Sequence, residues 1–294
     1  MACINRPFSK QSGSTCWFHA IMNGFVTSKY GQIIMYKAIA KFINEHVQTR
    51  AEYERFISPD LTCVRPGKLH SKFNFYKWFY HWLIVGVPVY KNSRNVMRNL
   101  VFTKRNVAVD NLGSYKGLTE ILERMDIQDY AVVDIVTGNI ARNNPDPSFV
   151  VFTSPYLLKN MPTGGFKNHM SLQVTFNGST YRLDHASLMI FFERGGEHAS
   201  HAITGLRCMN TGLPMIADSN SDTLYPCDWT NPSNIERCEP YVADCLTLYQ
   251  SAPTGCHIGF VIYTNVRMSL YNFNRNVNNI KPNKILNRAM NTNG

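Results

Sequence analysis

Apolar residues recur at intervals of three and four through the first half of this chain, whereas in the second half they alternate or gather in short β-branched runs. The helical spacing starts at Cys16, after which Trp17, Ala20, Ile21, Phe25 and Val26 can share one core-facing stripe. A second helix is predicted over 32–56 from Ile33, Tyr36, Ile39, Ala40 and Ile43, with Ser58-Pro59-Asp60 as its stop. The aromatic stretch 73–84 predicts further helix, and Leu118, Ile121, Leu122 and Met125 mark a short one after Gly117. From 131 the period changes. Runs at 131–136 and 149–152 predict strands, and 171–176 with 180–183 read as a hairpin, because Asn177-Gly178 accepts the positive φ of a tight turn. A strand at 187–192 continues or follows that hairpin, and the Arg194-Gly195-Gly196-Glu197 loop reverses the chain. Strands at 199–208 and 213–217 flank Asn210-Thr211-Gly212, and a last strand is expected at 257–263. The expected class is α+β without repeats or an internal linker. One domain covers 1–271, helical over about 1–128 and an antiparallel sheet over about 129–271, and the Asn-rich, basic stretch 272–294 reads as a poorly ordered tail.

Composition narrows the picture. With 44% hydrophobic and 17% charged residues among 294, the chain can bury a sizeable core and is not a disordered segment. Its most apolar stretch, 78–90, is shorter than the ~20 residues a bilayer crossing needs and is broken by Gly86 and Pro88, so no membrane association is expected. The polar first 14 positions lack the apolar segment of a secretory signal, which predicts an intracellular protein made without a propeptide. The net charge of +10 suits acidic neighbours, nucleic acid among them, but Lys and Arg are scattered rather than clustered. Eight cysteines at irregular spacings, with no Cys-x-x-Cys pair, predict mostly reduced thiols, and no metal or other cofactor is expected.

Candidate chemistry begins with Gln11-Ser-Gly-Ser-Thr-Cys16-Trp17. A thiol at the start of a helix lies at the positive end of the helix dipole, and a nearby imidazolium lowers its pKa further. Gln11 can donate its amide to a developing oxyanion beside the backbone N–H of Cys16. The histidine such a nucleophile needs must come from elsewhere in the chain. His201 opens one predicted strand and Asp218 ends the next, so antiparallel pairing can set the carboxylate against the imidazole, with Asn220 as the alternative orienter. His185, in Leu183-Asp184-His185-Ala186, is the alternative base, although no Asp or Asn stands about sixteen residues beyond it.

These residues in this order resemble the papain-like cysteine peptidases, and most closely their ubiquitin-specific protease branch. The Cys16 segment resembles that branch's Asn-x-Gly-Asn-Thr-Cys-Tyr box, Tyr181-Arg-Leu183 its Tyr-x-Leu strand, and Glu197-His-Ala-Ser-His201 its Gly-His element. Ile216-Ala-Asp218-Ser resembles its Asp-Asp segment and Gly259-Phe-Val-Ile-Tyr263 its closing strand. Gln11 and Trp17 are instead what papain itself carries, Ser200 replaces the Gly before the histidine, and the branch's paired zinc-binding cysteines are missing. The resemblance implies a papain-like two-lobed fold and a thiol peptidase or isopeptidase. Its triad would be Cys16, His201 and Asp218, and its substrate a protein or peptide, with ubiquitin or a ubiquitin-like protein as the branch's own. The alternative expectation is an inactive protease fold serving as an interaction or structural protein, associated with a particle or nucleic acid.

Overall fold

The computed structural model describes residues 16–28, 31, 115–134, 140–153, 170–208, 211–221 and 223–267. The helices predicted over 32–56 and 73–84, residue Gln11 and the 272–294 tail lie outside them. The described residues form an α+β structure. Helix α1 (Cys16–Thr27) and helix α2 (Tyr115–Arg124) come first. Nine strands follow: β1 (Tyr130–Asp134), β2 (Ile140–Arg142), β3 (Phe149–Thr153), β4 (Gln173–Phe176), β5 (Ser179–Arg194), β6 (Glu197–Arg207), β7 (Pro214–Ala217), β8 (Leu224–Pro226) and β9 (Pro253–Asn265). Between β8 and β9 come a 3-10 helix (Pro232–Arg237) and helix α3 (Glu239–Tyr249).

All nine strands join one sheet in the order β2-β1-β3-β9-β5-β6-β7-β8, with β4 also on β5. Only β1 and β3 run parallel among these pairs. The last strand in sequence, β9, is therefore an inner one, and β5 is the axis that pairs with β4, β6 and β9. The hairpin turns obey local chemistry: Asn177 and Gly178 both take positive φ (47° and 77°), as do Gly195 and Gly196 (58° and 81°). The segment predicted at 187–192 is the continuation of β5 rather than a new strand.

Helix α1 is buried nearly all round. Trp17, Phe18, His19, Ala20, Ile21, Met22, Asn23 and Phe25 are all shielded from solvent, as expected for a helix packed among other elements rather than floating on a surface. It lies on β5 and β6. Thr204 of β6 donates its hydroxyl to the Ala20 carbonyl at 2.9 Å, and Ser28 donates to the Asp184 carboxylate at 2.5 Å. At Gly24 the helix passes so near β5 that a Cβ would sit 2.1 Å from His185 Cδ2. Neighbouring strand residues face opposite sides. Thr204 meets α1, so Gly205 faces the other side, where Trp229 and the buried cluster of Ile235, Tyr241 and Cys245 pack.

The sheet half holds more helix than the strand-dominated expectation. The 3-10 helix is capped by Asn231, whose side chain accepts from the Ser233 N–H at 3.2 Å, and Pro232 occupies its first turn. Helix α3 carries Glu239 and Pro240 at its start and ends at Gln250 in the left-handed region (φ 59°). Among the described residues no helix is long and apolar enough to cross a membrane.

Candidate active site

Three elements distant in sequence bring one residue each to a common point. Cys16 is the first residue of α1, His201 lies near the start of β6 and Asp218 directly follows β7. The β6–β7 register pairs Thr204 with Ala217, which carries Asp218 alongside β6 within side-chain reach of His201. His201 Nε2 lies 2.8 Å from Asp218 Oδ1, and the imidazole also hydrogen-bonds the Cys16 sulfur, which leaves Nδ1 as the nitrogen facing the thiol. The anchoring of α1 through Ala20, Gly24 and Ser28 fixes where that sulfur sits.

Burial alone would push the Cys16 thiol up. The hydrogen bond and positive charge of His201, aided by the backbone of Ala202 and Trp17, outweigh it, so the thiol falls below its ordinary value. Other described cysteines go the opposite way: burial raises Cys227 and Cys256, and lifts Cys245 to about 12. Burial would likewise lower His201, but the Asp218 carboxylate and the Cys16 sulfur raise it to about 10. Asp218 is wholly buried; burial opposes its ionisation, and His201, the Asn220 N–H and Tyr249 together hold it below the usual carboxylate range. The shifts run in the direction that favours a thiolate–imidazolium pair backed by a carboxylate.

Four donors converge on that carboxylate. Oδ1 accepts from His201 Nε2 and from the Asn220 N–H at 2.8 Å, and Oδ2 accepts from Tyr241 at 3.0 Å and Tyr249 at 2.8 Å. The Tyr249 ring also leans on His201, with centroids 5.3 Å apart. Sequence reasoning missed both tyrosines because it missed α3. The signal available was Pro240 after a polar stretch, with Tyr241, Cys245 and Tyr249 at four-residue spacing.

Two alternative assignments are corrected by the geometry. His185 is buried beneath α1 beside Gly24, its Nδ1 2.9 Å from Asp184. Gly24 is two helical turns from Cys16, about 12 Å at 1.5 Å per residue, so His185 serves the helix–strand contact and not the thiol. Asn220 does not orient the imidazole: its amide nitrogen donates to the Tyr249 hydroxyl at 2.9 Å and its backbone to Asp218. Of the other histidines, His198 is exposed at the β5–β6 tip and His257 packs on Phe191. Among the described cysteines, Cys227, Cys238, Cys245 and Cys256 carry free thiols like Cys16, and Cys208 is disulfide-bonded. Among the described residues no group of three or more His, Cys, Asp or Glu is arranged to hold a metal.

The ion pair gives stability a particular pH dependence. His201, raised to about 10, contributes fully below its unfolded value of ~6.5 and loses that contribution as pH rises through about 10. Cys16, lowered, contributes above its unfolded value of ~8.5 and loses it as pH falls through its folded pKa. Between the unfolded values of about 6.5 and 8.5, wherever pH exceeds the folded Cys16 pKa, the folded and unfolded pair hold the same one proton, and the two slopes cancel. In Cys16→Ala only His201 still titrates, so stability falls as pH rises through that window. The wild-type advantage over Cys16→Ala, from denaturant midpoints, should therefore grow between pH 6.5 and 8.5; a constant difference would contradict the ion pair.

No protein-family profile matches the chain, and no curated protein matches it. Among solved structures, one described as an essential yeast splicing factor is similar at 13% identity and a TM-score of 0.26, over 47% of this chain and 31% of that one. The matched part spans about a third of that protein's length.

Proposed function

We propose that this chain is a thiol peptidase or isopeptidase of papain-like layout, with the nucleophile's helix set against a sheet that supplies base and orienter. The observation that carries the reading is the His201 imidazole hydrogen-bonded on one side to the Cys16 sulfur and on the other to the buried Asp218. Cys16 thiolate attacks the scissile carbonyl carbon, and the oxyanion is met by the Cys16 N–H and the Gln11 amide. His201 passes its Nδ1 proton to the departing amine, leaving a thioester. It then takes a proton from water, whose oxygen displaces the sulfur, so that the acid product leaves and the ion pair is restored. Asp218 keeps its charge throughout and holds the ring in place.

The reading is tested by thiol chemistry. At pH 6 a small alkylating reagent should modify Cys16 far faster than the other cysteines, and Cys16→Ala should abolish turnover of a peptide substrate without unfolding the chain. Similar labelling of several cysteines at pH 6 would count against an activated nucleophile. The ubiquitin-specific branch is the substrate reading we favour from the sequence resemblance. A ubiquitin C-terminal electrophile separates it from a broader peptidase: capture of Cys16 by that reagent supports it, and capture by the small reagent alone removes it.

A further inference from the structure

We infer that Tyr241 and Tyr249 of α3 are positioning residues that hold the Asp218 carboxylate, and through it His201, in the reactive arrangement; this rests on the peptidase reading above. A carboxylate offers about four lone-pair sites. On Asp218 all four are taken, two by His201 and the Asn220 backbone and two by the tyrosine hydroxyls. The carboxylate is out of reach of water, so these hydroxyls replace the solvent that would otherwise stabilise its charge. They are neutral donors, so they support the anion without bringing a second cation to compete with the imidazolium.

The Tyr249 hydroxyl has a fixed direction. Its oxygen accepts from Asn220 Nδ2, which turns its only proton toward Asp218. Its ring is clamped between Phe192, at 4.7 Å, and His201. Burial raises both tyrosines well above their ordinary value, and the nearby Asp218 charge adds to it, so they stay protonated donors across the working pH range. Other titratable groups around the carboxylate are Cys245 and Asp244 on α3 and Tyr225 on β8, with Cys16 of α1 beyond His201. Tyr225 supplies an internal control. It donates to Asp244 and accepts from the Ser221 hydroxyl at 2.6 Å, bracing α3 without a hydrogen bond to Asp218.

The experiment compares wild type with Tyr241→Phe, Tyr249→Phe, the double variant and Tyr225→Phe. The readouts are the pH profile of Cys16 alkylation, kcat and KM on a peptide, and 15N NMR titration of the His201 ring. Losing a hydroxyl lets Asp218 take up a proton at higher pH. The acid limb should move up by about one pH unit in each single variant and further in the double, as expected for a hydrogen bond to a charged group. kcat should fall about tenfold with KM unchanged, since both hydroxyls act on Asp218. Tyr225→Phe should leave the limb in place. An unmoved limb in the double variant, or an equal shift in Tyr225→Phe, overturns the inference. The ring titration reads the same shift if the wild-type thiol proves unactivated; that result would sink the peptidase reading and leave the tyrosine–carboxylate coupling to be decided by NMR.

Discussion

Replacing His201 with alanine should lower kcat by about 10⁴-fold or more, because in the proposed mechanism the imidazole both maintains the thiolate and supplies the proton the leaving amine needs. The same change should cut Cys16 alkylation at pH 6 by about 10²-fold or more. Without the imidazolium, burial is left to dominate the thiol and pushes it up, which disfavours the thiolate at pH 6. Asking for both effects in one folded preparation is demanding. A variant that loses turnover but still alkylates quickly would show that His201 acts on the leaving group alone, and one that keeps kcat within tenfold would remove it from the site.

The second large effect concerns the fold that holds the site. Gly205→Ala should destabilise the protein by about 3 kcal/mol, the upper end of what overpacking a core costs. An added Cβ would lie 2.4 Å from Trp229 Cδ2 and 2.8 Å from Cε2 and Cε3. The ring has little room to withdraw, since Trp229 is fully buried and its Nε1 donates to the Leu206 carbonyl at 2.8 Å. Gly178→Ala is the comparison. Nothing lies within 4 Å of its Cβ position, and only its φ of +77° resists, so it should cost about 1 kcal/mol. Equal denaturant midpoints for the two variants would show that the Trp229 contact yields more easily than its geometry implies.

The juxtaposition of Cys16, His201 and Asp218 was legible before the structure because its parts obey local rules. Cys16 stands where a helix begins, and His201 within β6 and Asp218 just after β7 fall on neighbouring antiparallel strands. The turn at Asn177-Gly178 was legible for the same reason, its residue types being tied to a backbone conformation. What stayed hidden depends on contacts no local pattern encodes. β5 was read in pieces because its pairing with β9 shifts register between Leu183 and His185 and again between Ser187 and Leu188. Those shifts break the alternation, so the run 185–188 is buried throughout. Helix α3 was overlooked because it exposes Leu246 and Leu248 and buries Tyr241 and Cys245, leaving no clean apolar stripe. With it went the two hydroxyls on Asp218, while His185, plausible in sequence, turned out to fill the space beneath Gly24.

The inner position of β9 has a consequence for biosynthesis. The thiol is synthesised well before Tyr249 and the strand between β3 and β5, which come roughly 235 residues later. At about 5–20 residues per second, the nascent chain carries Cys16 for about 12–50 s before the sheet can close. During that interval the sulfur is an ordinary, mostly protonated thiol. On the proposed reading, reactivity waits for β9 to close the sheet, so the growing polypeptide does not carry an activated thiol before then.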